Sequence, residues 1–195
     1  MQISQTSIAE VKIIVPSVLR DERGFFVETY SRSALARIGI DHTFVQDNLS
    51  HSEHSGVVRG LHFQTPPYAQ GKLVRVVRGA ILDVAVDLRH GSPTYGHSVS
   101  MLLDSDGQAQ AWIPIGFAHG FCTLMPGTEV FYKVTAPYAP MHDRGIAWDD
   151  AALGIDWPVE RDKAILSAKD RAHPRLKDLP AYFHYGHEME NAAGV

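Results

Sequence analysis

Ala80-Ile-Leu-Asp-Val-Ala-Val-Asp-Leu-Arg89 decides the fold. Read at period two, Leu82, Val84, Val86 and Leu88 share one face, while Ile81, Asp83, Ala85, Asp87 and Arg89 share the other. Such alternation in a run rich in branched residues predicts a strand. Outward from it, Lys72-Leu-Val-Arg-Val-Val-Arg78 is a second such run, closed by Gly79, and residues 97–103 and 129–135 alternate alike. Pro66-Pro67, Gly91-Ser-Pro93, Asp104-Ser-Asp-Gly107 and Pro126-Gly127 separate the runs as turns. Many short strands at this spacing predict an all-β sandwich or barrel. Helix is scarce. The one candidate of any length covers residues 31–38, with Ser31 or Ser33 as N-cap and Gly39 as stop. Short turns are expected near residues 149–153 and 171–177. From Met141 the strand period fades, which predicts a mainly irregular tail packed on the barrel.

The expectation is therefore a single domain over residues 1–195: a barrel core at about 10–140, a packed tail at about 141–185 and a frayed end at 186–195. The 18 Lys and Arg against 22 Asp and Glu leave a net charge of -4, which gives no reason to bind nucleic acid or an anionic membrane. No apolar stretch approaches the roughly 18 residues that span a bilayer. Residues 1–10 lack the basic-then-apolar pattern of a secretory signal, so a cytoplasmic protein is expected. The one cysteine, Cys122, excludes an intrachain disulfide framework and a cysteine-based zinc site. Eleven histidines then pose the question of metal ligands, general bases or mere composition.

Two segments carry the candidates. In Val58-Arg-Gly-Leu-His-Phe-Gln64, His62 lies between a glycine and a double proline, with Arg59 and Lys72 flanking it. An isolated histidine there reads as a satisfied rim residue, but the flanking cations point to a ligand. In Ala111-Trp-Ile-Pro-Ile-Gly-Phe-Ala-His-Gly-Phe121, proline and glycine before His119 predict a tight turn that presents its side chain. Together the segments resemble the cupin superfamily, small jelly-roll barrels that bring histidines to the barrel mouth from two such stretches. A metal-binding cupin usually supplies His-x-His and a glutamate from the first. Here it reads His62-Phe63-Gln64, with no acidic residue before Gly71. Two imidazoles fall short of a catalytic metal's three or four ligands, so no metal is expected and acid–base work is left for the histidines.

That departure points to one branch. Asp21-Glu-Arg-Gly-Phe-Phe-Val-Glu28, Gln46-Asp-Asn-Leu-Ser50, Arg59-Gly-Leu-His-Phe-Gln64, Gly71-Lys-Leu-Val-Arg-Val76, Asp83-Val-Ala-Val-Asp-Leu-Arg89, Ser92-Pro-Thr-Tyr95, Trp112 to Phe121, Gly145-Ile-Ala-Trp-Asp-Asp150 and Leu166-Ser-Ala-Lys-Asp170 resemble, in order, the dTDP-4-dehydrorhamnose 3,5-epimerase family. The resemblance runs over about residues 10–180. It implies a cupin-type jelly-roll barrel that inverts carbons three and five of a dTDP-4-keto-6-deoxyhexose, with no cofactor and no metal. Both carbons neighbour a carbonyl, so their protons are acidic for carbon acids. Such a proton still lies roughly a dozen pK units above imidazolium, on the order of 16 kcal/mol uphill in water at 1.36 kcal/mol per unit. The site must stabilise the enolate.

The resemblance also implies the roles. His62 is the base, Asp170 the partner that fixes its tautomer, Lys72 the cation beside the enolate oxygen, and Tyr132 the acid on the opposite face. Asp83 and His119 support the barrel mouth. Arg23, Arg59 and Lys169 meet the pyrophosphate side, while Glu28, Gln46 and Asn48 hold the nucleoside. Tyr138 stacks on thymine, and Asp143 stands where the family tends to carry a glutamate. The family forms homodimers with exchanged N-terminal strands, so Phe26 and Glu28 are expected to serve the neighbouring subunit. The residues themselves leave other readings open: an epimerase of one carbon, a metal-dependent cupin needing a third ligand near His62 and His119, or a barrel that binds dTDP-sugar without proton transfer. Asp83 is either a site residue or an outward one. Arg59 and His62, three apart, share a face only if the strand bulges near Gly60.

Overall fold

The computed structural model describes residues 2–186; the frayed end expected for 186–195 lies, from residue 187, outside the described residues. The chain opens with β1 (Gln2–Gln5), β2 (Lys12–Val15), β3 (Val18–Asp21), β4 (Gly24–Val27) and helix α1 (Arg32–Ala36). Then come β5 (Gln46–Ser52), β6 (Val58–Gln64), β7 (Lys72–Arg78), β8 (Ala80–Asp87) and β9 (Arg89–His90). They are followed by β10 (Ser98–Asp104), β11 (Gln110–Ile113), β12 (Phe117–Thr123) and β13 (Thr128–Val134). The tail carries β14 (Asp143–Gly145), α2 (Ala168–Arg171) and β15 (Phe183–His184). Two sheets face each other, in the orders β1-β2-β11-β7-β13-β5 and β10-β8-β12-β6-β14. β3 and β4 form a separate hairpin.

The alternation in β8 is real, and the structure settles which face turns inward. Ile81 and Ala85 point into the barrel with Val74, Val76, Phe121 and Val130, and Asp83 points in with them. The continuous apolar face, with Val84, Val86 and Leu88, is the outer one, and the tail covers it with Ile146, Leu153, Leu176 and Phe183. The inner face is the more polar because Asp83 pairs with His119, and Asp87 with Arg89, Ser92 and Thr94. Outside the other sheet, α1 packs Leu35 over Ile14, Leu73 and Trp112. Ser31 caps α1 by accepting from the Ala34 N–H, and Gly39, at φ +81°, ends the turn. Burying Leu35 stabilises this cover by about 2 kcal/mol.

Two expectations need correction. The barrel does not begin near residue 10, because Gln2–Gln5 pairs with Lys12–Val15 and extends its sheet. His119 is not in a turn: the corner falls at Gly116 (φ +91°), and His119 lies mid-strand in β12, paired with both β6 and β8. A central strand buried on both faces shows no alternation, which is why proline and glycine masked it. The tail is mainly irregular, but β14 adds an edge strand to β6.

Candidate active site

The site lies between the sheets at one end of the barrel. On β6, His119 pairs with His62 and Phe121 with Arg59, so two steps along β12 match three along β6. The extra residue is a bulge, and it returns Arg59 to the face of His62. Gly60 permits it: its φ is +132°, and a Cβ there would lie 2.6 Å from the Gly120 Cα. Both side chains accordingly line one cavity.

That cavity, about 250 Å³, is walled by Ser50, Arg59, His62, Lys72, His119, Phe121, Tyr132, Ser167, Lys169 and Asp170. A second, about 260 Å³, is walled by Gln46, Asn48, Gln64, Tyr138 and Asp143 and shares His62, Lys72 and Tyr132 with the first. The three shared residues are where the two cavities meet. β5 supplies Gln46, Asn48 and Ser50 as alternate residues. Its cavity-facing side is polar, which is why no hydrophobic alternation marked it as a strand.

His62 Nε2 lies 2.7 Å from Asp170 Oδ1. Burial opposes the Asp170 charge, but the His173 and His62 rings hold its carboxyl well below the usual carboxylate range. An ionised carboxylate only accepts, so His62 Nε2 carries the hydrogen and Nδ1 keeps the free lone pair. Burial also lowers the His62 pKa; Asp170 opposes this, and Lys72 and Lys169 add to it. The ring is thus neutral near pH 7 and able to take a proton. Lys72 Nζ donates to the His62 carbonyl at 3.2 Å. Burial pushes its ammonium down to about 8, against the pull of Asp143 and Asp83. Tyr132 stands on the other sheet, its hydroxyl pKa raised by burial and eased by Arg59.

Supporting groups close the mouth. Gln46 accepts from the Tyr138 N–H at 3.0 Å and donates to Asn48 at 2.7 Å. Asp143 Oδ2 accepts from the Tyr138 hydroxyl at 3.0 Å and pairs with Lys169. Arg59 donates to Ser52 Oγ and to the His51 carbonyl. Asp83, fully buried behind His119, lies 2.7 Å from its Nε2. Three expected residues are elsewhere in this chain. Arg23, Phe26 and Glu28 sit exposed on or beside the β3–β4 hairpin, with Arg23 bonded to Asp21. Two residues beside the site escaped the sequence reading. Gln64 bonds to the Tyr68 and Pro137 carbonyls and the Ala139 N–H, which sets the segment bearing Tyr138. His173 lies against Asp170, a contact that its spacing of three from Asp170 would have flagged on a helical turn.

His62, Asp170 and His173 bring two imidazoles and a carboxylate within 4.8 Å of one another. The metal-dependent reading called for a third ligand near His62 and His119; this cluster does not include His119, whose Nε2 lies 2.7 Å from Asp83 Oδ1.

The sequence profile of the family described as dTDP-4-dehydrorhamnose 3,5-epimerase matches residues 5–178. A Sinorhizobium fredii protein named dTDP-4-dehydrorhamnose 3,5-epimerase is 52% identical over 185 residues, covering 95% of this chain and 94% of its own. The Legionella pneumophila dTDP-6-deoxy-D-glucose-3,5-epimerase, solved with dTDP-4-keto-L-rhamnose, superposes with a TM-score of 0.91 at 43% identity, over 95% of this chain and 99% of its own. A 3'-monoepimerase from Streptomyces bikiniensis, solved with dTDP-quinovose, gives 0.82 at 31% identity, over 89% and 87% of the two chains. With a jelly-roll barrel of this shape and a profile match over most of its length, the chain belongs to the dTDP-4-dehydrorhamnose 3,5-epimerase family, isomerases acting on sugar nucleotides.

Proposed function

We propose that the barrel epimerises dTDP-4-dehydro-6-deoxy-D-glucose at carbons 3 and 5, giving dTDP-4-dehydro-L-rhamnose for rhamnose biosynthesis in the cytoplasm. The observation that carries this is the opposition of His62 on one sheet to Tyr132 on the other, across a cavity that Lys72 also lines. His62 Nδ1 takes the α-proton and becomes an imidazolium beside Asp170. The C–H electron pair moves into the ring carbon bond, and the carbonyl pair moves to oxygen. Lys72 meets that developing enolate charge where little water competes. Tyr132 then donates its proton to the opposite face of the carbon, and Arg59 steadies the phenolate until a proton returns. Each inversion consumes and returns one proton, so the residues need no redox partner and no metal. Tyr138, Gln46 and Asn48 hold the nucleoside, Arg59 and Lys169 meet the pyrophosphate side, and Asp143 holds the Tyr138 hydroxyl and Lys169 in place.

Inversion of both carbons is favoured over one by the closer likeness to the 3,5-epimerases, at 52% and 43% identity, than to the 3'-monoepimerase, at 31%. Incubation with the 4-keto-6-deoxyglucose substrate in deuterated water, read by NMR, tests it. Deuterium is expected at both carbons. Label at one carbon reduces the activity to a single epimerisation, and label at neither overturns the reading.

The partner in this reading is a second copy of the chain. Phe25 and Phe26 are 53% and 68% exposed on the β3–β4 hairpin, unlike any core aromatic. An exchanged hairpin would bury them and bring Arg23, Phe26 and Glu28 to the neighbour's cavity. Light scattering at the mass of one chain would overturn the dimer.

A further inference from the structure

Asp170 is approached by two imidazoles, and the reaction described above uses only one. His173 follows α2, three residues after Asp170. Its side chain is 9% exposed, and its Nε2 lies 3.6 Å from the same Oδ1 that meets His62. Among the described residues that nitrogen has no hydrogen-bond partner, and it is shielded from solvent. The ring stands edge-on to His62, with centroids 5.5 Å apart and planes at 79°. Its other side rests on Gly145, where a Cβ would overlap three of its ring atoms. Gly145 is in turn the register partner of His62 across β14 and β6. Strand pairing therefore sets the bare backbone that admits this ring, and the ring reaches the carboxylate that serves the base.

We propose that His173 is a positioning residue for the His62–Asp170 pair. A buried ring nitrogen facing an ionised carboxylate carries a hydrogen, because two lone pairs would repel. That N–H dipole favours negative charge on Oδ1, the oxygen that His62 bonds, and resists rotation of the carboxylate away from it. It also competes for Asp170's proton affinity, so the proton taken from the sugar stays on His62 rather than passing to Asp170. His173 lines neither of the two cavities. Its effect falls on the chemical step and leaves substrate binding alone.

The inference rests on the epimerase reading, and one set of rates separates the two. Deuterium exchange is measured for wild type, His173→Phe, Asp170→Asn and the double variant, with KM and the affinity for dTDP. Phe keeps the ring's bulk and removes its nitrogens. The expected result for His173→Phe is a fall in kcat of about tenfold or more with KM within twofold. In the Asp170→Asn background the same change is expected to cost nothing further, because its route through Asp170 is already cut. An unchanged kcat in His173→Phe, a loss carried by KM, or a full additional loss in the double variant overturns the inference. Should the Phe variant fail to fold, His173→Met fills the pocket and is judged by the same ratios. Absence of exchange in wild type would instead overturn the epimerase reading itself.

Discussion

His62 and Asp170 lie 2.7 Å apart, and so do His119 and Asp83, yet the two pairs are built for different work. The first joins a barrel strand to the tail, 108 residues on. Its imidazole side chain is 31% exposed at the junction of two cavities, and its carboxylate faces a further ring at His173. The second lies within one sheet, on adjacent strands β8 and β12. Its side chains are 7% and 0% exposed, and Asp83 Oδ2 meets no partner among the described residues. A base must reach the reacting carbon and release its proton afterwards, which an open imidazole on a fixed carboxylate can do. A sealed pair can do neither readily. What it can do is place negative potential behind Lys72, whose charge Asp83 supports.

The sharpest way to break this contrast is at the bases. His62→Ala is expected to lower proton exchange by on the order of a thousandfold, within the usual range for removal of a general base. Binding of dTDP, measured by calorimetry, should stay within a few-fold, because His62 contributes to the sugar end. A His119→Ala variant that lost exchange equally, with its fold intact, would erase the distinction between the pairs. So would a His62→Ala variant that turned over like wild type.

The same contrast explains what the sequence made legible. Period-two runs with an apolar face located β7, β8 and β13, because burying one face requires that pattern. β5 escaped for the opposite reason: it turns polar residues toward the cavity. β12 escaped because it is buried on both faces. The family resemblance grouped His62, Lys72, Tyr132 and Asp170, and all four line one cavity. The bulge at Gly60 was legible as a condition on Arg59, and the register of β6 on β12 meets it. His173 and Gln64 were not read from the sequence: Gln64 reaches Pro137 and Ala139, which no local spacing encodes, and the spacing of His173 from Asp170 signals a contact only once residues 168–171 are known to turn as a helix. Arg23, Phe26 and Glu28 carry motif identity, yet in one chain they lie apart from the cavity. Motif order groups residues without saying where the fold places them.

The smallest expected effect belongs to the sealed pair. Lys72 is charged below about pH 8 and loses its proton as pH rises through that value. If its ammonium carries the enolate, wild-type kcat falls on the alkaline side with a limb near 8, by about tenfold per unit well above it. Asp83→Asn keeps a hydrogen-bonding side chain beside His119 and removes the negative charge behind Lys72. The ammonium is then less favoured, its pKa drops further, and the limb moves to lower pH by about half a unit, with kcat on the neutral plateau lowered only severalfold. A pH profile of the two proteins under identical salt decides it. A limb that moves upward or stays in place would mean that Asp83 does not act through Lys72. The second pair would then be left with the packing of His119 alone.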